Sequence, residues 1–145
     1  MLTVGIDIGG TKIAGGVVDA DGAIVEKVRV DTPTDTRVLA DAVVDMARHL
    51  AVAHDVDAVG VAAAGFISKD RSTVIHAPNI DWQDEPLRDM LRERIGLPVT
   101  IENDANAAGW AEYRFGAGRG CRDMVMLTLG TGVGGAIVVD GELFR

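Results

Sequence analysis

Cysteine, proline and aromatic residues are all scarce in this 145-residue sequence: one Cys, four Pro, and Phe, Trp and Tyr together at 4%. The lone Cys121 excludes an internal disulfide and, with no Cys or His close to it in sequence, a zinc site built around it. Basic side chains are short as well, 14 against 22 acidic ones, for a net charge of −8. They are scattered along the chain, so neither nucleic acid nor an anionic membrane surface is expected as a partner. No apolar run is long enough to span a bilayer. The longest uncharged stretch, "MVMLTLGTGVGGAIVV", is broken by four glycines and two threonines. Asp7 stands where the apolar core of a signal peptide would lie, and a reducing, cytoplasmic setting is expected. What is plentiful is glycine, at 18 residues, in a composition that is 48% hydrophobic and 25% charged, as in a globular protein with many tight turns.

The first thirty residues alternate β-branched runs with turn signals, "LTVGIDI", "KIAGGVVD" and "AIVEKVRV", and read as a three-stranded antiparallel meander. From Thr36 to His54, Val38, Leu39, Ala42, Val43, Met46, Ala47 and Leu50 recur at helical spacing, after a capping turn at 33–35. "DAVGVAAAGF" reads as a strand buried on both faces, and "STVIHAPNIDW" as irregular loop. A helix from about Glu85 to Ile95 ends at Gly96 before Pro98, "PVTIEN" is a further strand, and helix resumes at Asp104. "DMVMLTLG" and "GAIVVDGELF" close the chain as a hairpin. The order βββαβα, continued by one more strand and helix, describes an α/β layer fold.

Two glycine-rich turns carry the chemistry. "DIGGTK" follows a strand directly, so Gly9 and Gly10 allow an anion to approach backbone amides, while Thr11 adds a hydroxyl and Lys12 a positive charge. A plain hairpin turn with an exposed lysine is the simpler alternative. Asp7 at the strand end is a candidate Mg²⁺ ligand, directly or through water. The Walker A spacing is absent. "GTGVGG" satisfies G-x-G-x-x-G through Gly130, Gly132 and Gly135, but its continuation is β-rich where a dinucleotide fold needs a helix. A second phosphate-binding hairpin remains. In "IENDANAAGW", Asn103 or Asp104 is placed to cap a helix, and Asp104 is alternatively placed to accept a proton from a substrate hydroxyl.

"DIGGTK", "APNIDW", "ENDANAAGWAEYRFGAG" and "LGTGVGG", in that order, resemble the ROK family of bacterial sugar kinases, and its glucokinase members in particular. The resemblance covers essentially the whole chain. It implies an actin-like, ribonuclease-H-like ATPase lobe at 1–119 and the first hairpin of a second lobe at 120–145. It makes Asp7, Gly9, Gly10, Thr11 and Lys12 the first phosphate loop, and Gly130, Thr131, Gly132, Val133 and Gly134 the second. Asp104 matches the catalytic base, Asn79 and Asn103 the residues that hydrogen-bond sugar hydroxyls, and Gly65 a backbone position lining the sugar pocket. The cofactors implied are ATP and Mg²⁺, with structural Zn²⁺ held by ligands that this chain does not contain, and the full-length form is expected to be a homo-oligomer. Family members are about twice this length, and the roughly 25 residues after 119 are too few to bury a core of their own, so an N-terminal portion inactive by itself is expected.

Phosphorylation of glucose at O6 is the leading expectation. Mannose, fructose or an N-acetylated amino sugar as acceptor, polyphosphate as donor, and a non-catalytic sugar-binding module are the alternatives. A repressor is disfavoured because "DIGGTK" begins at residue 7, with no room before it for a DNA-binding domain. His49 and His54, five apart, do not share one helical face, and Trp110, Tyr113 and Phe115 are expected in packing or a subunit contact. His76 is expected to be structural, and Trp82 either walls the sugar pocket or is simply buried.

Overall fold

A computed structural model describes residues 1–130 and 132–145. The chain divides into two compact units, Met1–Glu102 and Asn103–Arg145.

The first unit is built on a five-stranded sheet. Strands β1 (Thr3–Ile8), β2 (Lys12–Val18) and β3 (Ile24–Asp31) form the antiparallel meander, and β4 (Ala58–Ala63) runs parallel to β1 on its other side. The spatial order is β3-β2-β1-β4-β8, where β8 is Val99–Asn103. The crossover between β1 and β4 includes helix α1 (Thr36–His54), whose bounds match the periodicity of its apolar residues. Leu39, Val43, Val44, Met46, Ala47 and Leu50 on α1 are buried in one core with Val4, Ile6, Ile8, Ile13 and Val17 of the meander.

The helix begins at Asp35, whose carboxylate accepts hydrogen bonds from the amides of Arg37 (2.8 Å) and Val38 (3.2 Å). It ends where Asp55 turns into the left-handed region. Removing the cap oxygen leaves those amides without their intrachain acceptor, so Asp35→Ala is expected to cost about 1 kcal/mol, read as a lower urea midpoint.

Three expectations need correction here. Strand β4 is not buried on both faces. Val59, Val61 and Ala63 enter the core, whereas Gly60 is exposed and Ala58 and Ala62 are half-buried. The run reads as continuously apolar only because residues with almost no side chain alternate with the valines. "STVIHAPNIDW" is not irregular but supplies β6 (Val74–Ala77) and the start of β7 (Trp82–Glu85) to a small antiparallel sheet with β5 (Phe66–Ile67), two to four residues per strand. Such strands are too short to show a period. The following helix, α2 (Leu87–Ile95), starts after Glu85, because β7 runs through that residue and Pro86 takes the cap position.

In the second unit, helix α3 (Asp104–Phe115) packs on a three-stranded sheet ordered β11-β10-β9, from β9 (Met124–Leu129), β10 (Val133–Val139) and β11 (Glu142–Leu143). The expected hairpin thus gains a third strand after the Asp140–Gly141 turn, both residues having positive φ. Ala136, Val138 and Leu143 are buried with Trp110, Tyr113, Met124 and Met126 against them, and the Trp110 and Tyr113 rings stack at 5.4 Å. The packing role expected for these two aromatics holds.

The opposite face of this sheet is apolar and open. Val125 pairs with Ile137 and Leu129 with Val133, and these four with Leu127 and Val139 are 43 to 82% exposed. A contiguous face of this kind drives association. The 145-residue chain is therefore expected to self-associate at micromolar concentration in sedimentation velocity, and Leu127→Lys to shift it toward monomer.

Candidate functional site

The turn after β1 is short and tied down. Gly9 donates its amide to the Lys12 carbonyl (3.0 Å), Thr32 donates its hydroxyl to the Gly9 carbonyl (2.7 Å), and the Thr32 amide reaches the Thr11 carbonyl (2.9 Å). Neither Gly9 nor Gly10 has positive φ, so close approach, not handedness, selects glycine here. A Cβ on Gly9 would lie 3.0 Å from the Lys12 carbonyl oxygen, and one on Gly10 would lie 3.1 Å from Asn79 Cβ. Lys12 is ion-paired with Asp31, and that ammonium holds the Asp31 carboxyl below the usual carboxylate range. Both side chains are largely exposed, so the pair adds little stability but orients the lysine. Asp7 is exposed at the C-terminal end of β1, in register with Ala14 and Ala62.

Asn79 lies on the loop between β6 and β7, beside a cavity of about 340 Å³ lined by residues 76–83. His76, Asp81 and Gln83 contribute polar side chains to that lining. Asp81 and Gln83 were not singled out from sequence, although the exposed polar positions of "DWQD" alternate with a buried Trp82. Trp82 is 3% exposed and belongs to the core. Gly65 is where β4 meets the small sheet. A Cβ there would come within 2.5 Å of the His76 carbonyl oxygen, so its missing side chain lets β6 lie close.

In the second unit the choice between the two caps resolves. Asn103 is the N-cap of α3, its side-chain oxygen accepting from the Asn106 amide at 3.1 Å. Asp104 sits in the first helical turn, exposed, with Oδ1 accepting from the Ala105 amide at 2.9 Å. The helix dipole favours a negative charge at that position. The start of β10 approaches the same helix end. A Cβ on Gly134 would lie 3.0 Å from Ala105 Cβ and 2.7 Å from Thr128 Oγ1. Gly130 and Gly132 face open space, and the Gly130 amide bonds the Gly132 carbonyl at 2.9 Å. Val133 is exposed at the start of β10, and Thr131 lies outside the described residues.

Of the remaining residues, His54 pairs with Glu26 across α1 and β3, and Cys121 is exposed. Among the described residues no three His, Cys, Asp or Glu side chains cluster as a metal site, and no helix is long and apolar enough to cross a membrane.

The sequence pattern of the ROK family matches residues 3–145. The glucokinase of Streptomyces coelicolor is 51% identical over 144 residues, which cover 99% of this chain and 45% of that protein. Among solved structures, a ROK family glucokinase from Streptomyces griseus in complex with glucose and AMPPNP superposes with a TM-score of 0.94 at 52% identity, over 100% of this chain and 46% of that one. A ROK hexokinase from Thermus thermophilus gives 0.89 at 40% identity, over 100% and 49%. The chain thus spans about half the length of the relatives it matches. Its fold is that of these sugar kinases, an actin-like ATPase architecture, and the chain belongs to the ROK family.

Proposed function

We propose that this chain is the N-terminal half of an ATP-dependent hexose kinase that transfers the γ-phosphoryl group to O6 of glucose. The observation that carries the reading is Asp104, exposed at the start of α3 with Ala105 against Gly134 at the start of β10, in a chain 52% identical to a glucokinase bound to glucose and AMPPNP. In this reading 1–119 belong to the first lobe and 120–145 open the second. The open apolar face of the C-terminal sheet supports a second lobe completed by further chain.

Each residue has a role in the transfer. Asn79 and Asn103 hold sugar hydroxyls, with Gly65 shaping the floor beneath Asn79. Asp104 accepts the 6-hydroxyl proton as that oxygen bonds to the γ-phosphorus, and the bond from phosphorus to the β,γ-bridging oxygen breaks to leave ADP. The amides of Gly10 and Thr11, with the Lys12 ammonium, form one phosphate-binding turn, which Gly9 closes through its bond to the Lys12 carbonyl, and Gly130, Thr131, Gly132, Val133 and Gly134 form the second. Such a transition state is loose and needs positioning and charge neutralisation above all. Asp7 suits Mg²⁺, an oxygen-seeking cation that takes one or two carboxylates and keeps water and phosphate in its remaining positions. When bound, that ion neutralises phosphate charge.

The reading is tested by glucose-dependent ADP production, with the 145-residue chain alone and joined to the C-terminal half of the S. coelicolor glucokinase. Turnover by the joined protein and none by the chain alone is expected. A normal rate from the chain alone would overturn the half-enzyme part, and a folded joined protein that turns over no hexose would overturn the kinase itself.

A further inference from the structure

The glycine turn at residues 9–12 also touches the loop that carries Asn79, 69 positions along the sequence. A Cβ built on Gly10 would lie 3.1 Å from Asn79 Cβ, 3.7 Å from its Cγ and 3.9 Å from its carbonyl oxygen. Carbon atoms in contact sit at about 3.5–4.0 Å, so a methyl group here forces one side to give by a few tenths of an ångström. The turn is held from behind by the two hydrogen bonds of Thr32 and by the Gly9–Lys12 bond within it. Asn79 is exposed on a four-residue connection, residues 78–81, held by bonds from the Ile80 amide to the Ala77 carbonyl (3.3 Å) and from the Trp82 amide to the Ile80 carbonyl (2.7 Å), with Ile80 buried beside it. None of these bonds is made by the Asn79 backbone, whereas residues 9, 11 and 12 are all tied, so the exposed asparagine is the partner that yields.

From this geometry we infer that Gly10 is a positioning residue for sugar recognition: its bare Cα seats Asn79, so the turn that receives phosphate also fixes where the sugar-facing loop lies. The inference rests on the reading of Asn79 as a sugar ligand. Backbone conformation does not require glycine at residue 10, since its φ is not positive. A residue retained only to admit phosphate would, when enlarged, disturb the nucleotide. Enlarging Gly10 disturbs Asn79 first, and the disturbance grows with side-chain size.

Two measurements test this together. In the joined kinase, Gly10→Ala is expected to raise KM for glucose about 3- to 10-fold and Gly10→Val further, with KM for ATP changing less than about twofold. In the 145-residue chain, Gly10→Ala is expected to lower Tm by about 2–4 °C, and by less in an Asn79→Gly background that lacks the opposing Cβ. Additive Tm effects would overturn the contact. A Gly10→Ala enzyme whose ATP KM rises while its glucose KM stays put would overturn the positioning role and leave the kinase reading intact. A joined protein without hexose turnover removes the kinase reading and the positioning role with it, whatever the Tm cycle shows.

Discussion

Asp104→Asn in the joined kinase is expected to lower kcat by about 10²- to 10⁴-fold with little change in KM for glucose. The substitution keeps an oxygen that accepts from the Ala105 amide, now at 2.9 Å, and removes the negative charge and with it the capacity to take a proton. Helix α3 is insulated from the change because Asn103, not Asp104, is its cap. Stability is therefore expected to change by no more than an ordinary surface substitution does, about ±0.5 kcal/mol. Asn103→Ala is the informative contrast: it deletes the cap oxygen that Asn106 uses and is expected to lose about 1 kcal/mol of stability along with the proposed sugar contact. A loss of kcat below about tenfold in Asp104→Asn, too small for general-base catalysis, would take the proton-accepting role away from this carboxylate.

Gly65→Ala is expected to damage both stability and sugar binding. The new Cβ would stand 2.5 Å from the His76 carbonyl oxygen, 3.1 Å from Ala77 Cα and 3.2 Å from Ala77 Cβ. Two of these three atoms are backbone, so no flexible side chain can swing aside. Strand β6 must shift, straining its pairing of His76 with Phe66 on β5 and with Gln83 on β7. Overpacking of this sort costs about 1–3 kcal/mol. Because β6 leads directly into residues 78–81, the shift reaches Asn79, and a rise in glucose KM accompanies the drop in Tm. Gly60→Ala is the control, since a Cβ there meets nothing nearer than the Val4 carbonyl oxygen at 4.0 Å, and near-wild-type behaviour is expected. Equal tolerance of Gly65→Ala and Gly60→Ala would contradict the close approach.

How much of this was legible in the sequence depended on distance along the chain. Helix α1 was readable to its end residues because a cap, a 3.6-residue period and a stop all lie within one local stretch. The meander was readable for the same reason, its turns being marked by glycines and aspartates. The small sheet β5–β7 was not, because strands of two to four residues interrupted by a register shift carry no period. Strand β4 misled because Gly60 and Ala62 count as apolar yet cover almost nothing. At the candidate site, the two glycine turns, Asn103 and Asp104 stood out by type and spacing and Asn79 only through the family resemblance, and the division of labour between Asn103 and Asp104 needed the hydrogen bonds of the helix start. The reasons for Gly10 and Gly65 were invisible: each is set by a backbone or side chain far along the chain, and local sequence records only that glycine is there.

Hexose phosphorylation is tested first by the identity of the product, followed by phosphorus NMR when the joined protein is incubated with ATP, Mg²⁺ and glucose. A phosphate monoester on the sugar 6-oxygen is expected to accumulate in step with ADP and to be suppressed by Asp104→Asn. Glucose that binds but is never phosphorylated, or ADP that appears with inorganic phosphate and no sugar ester, would contradict it.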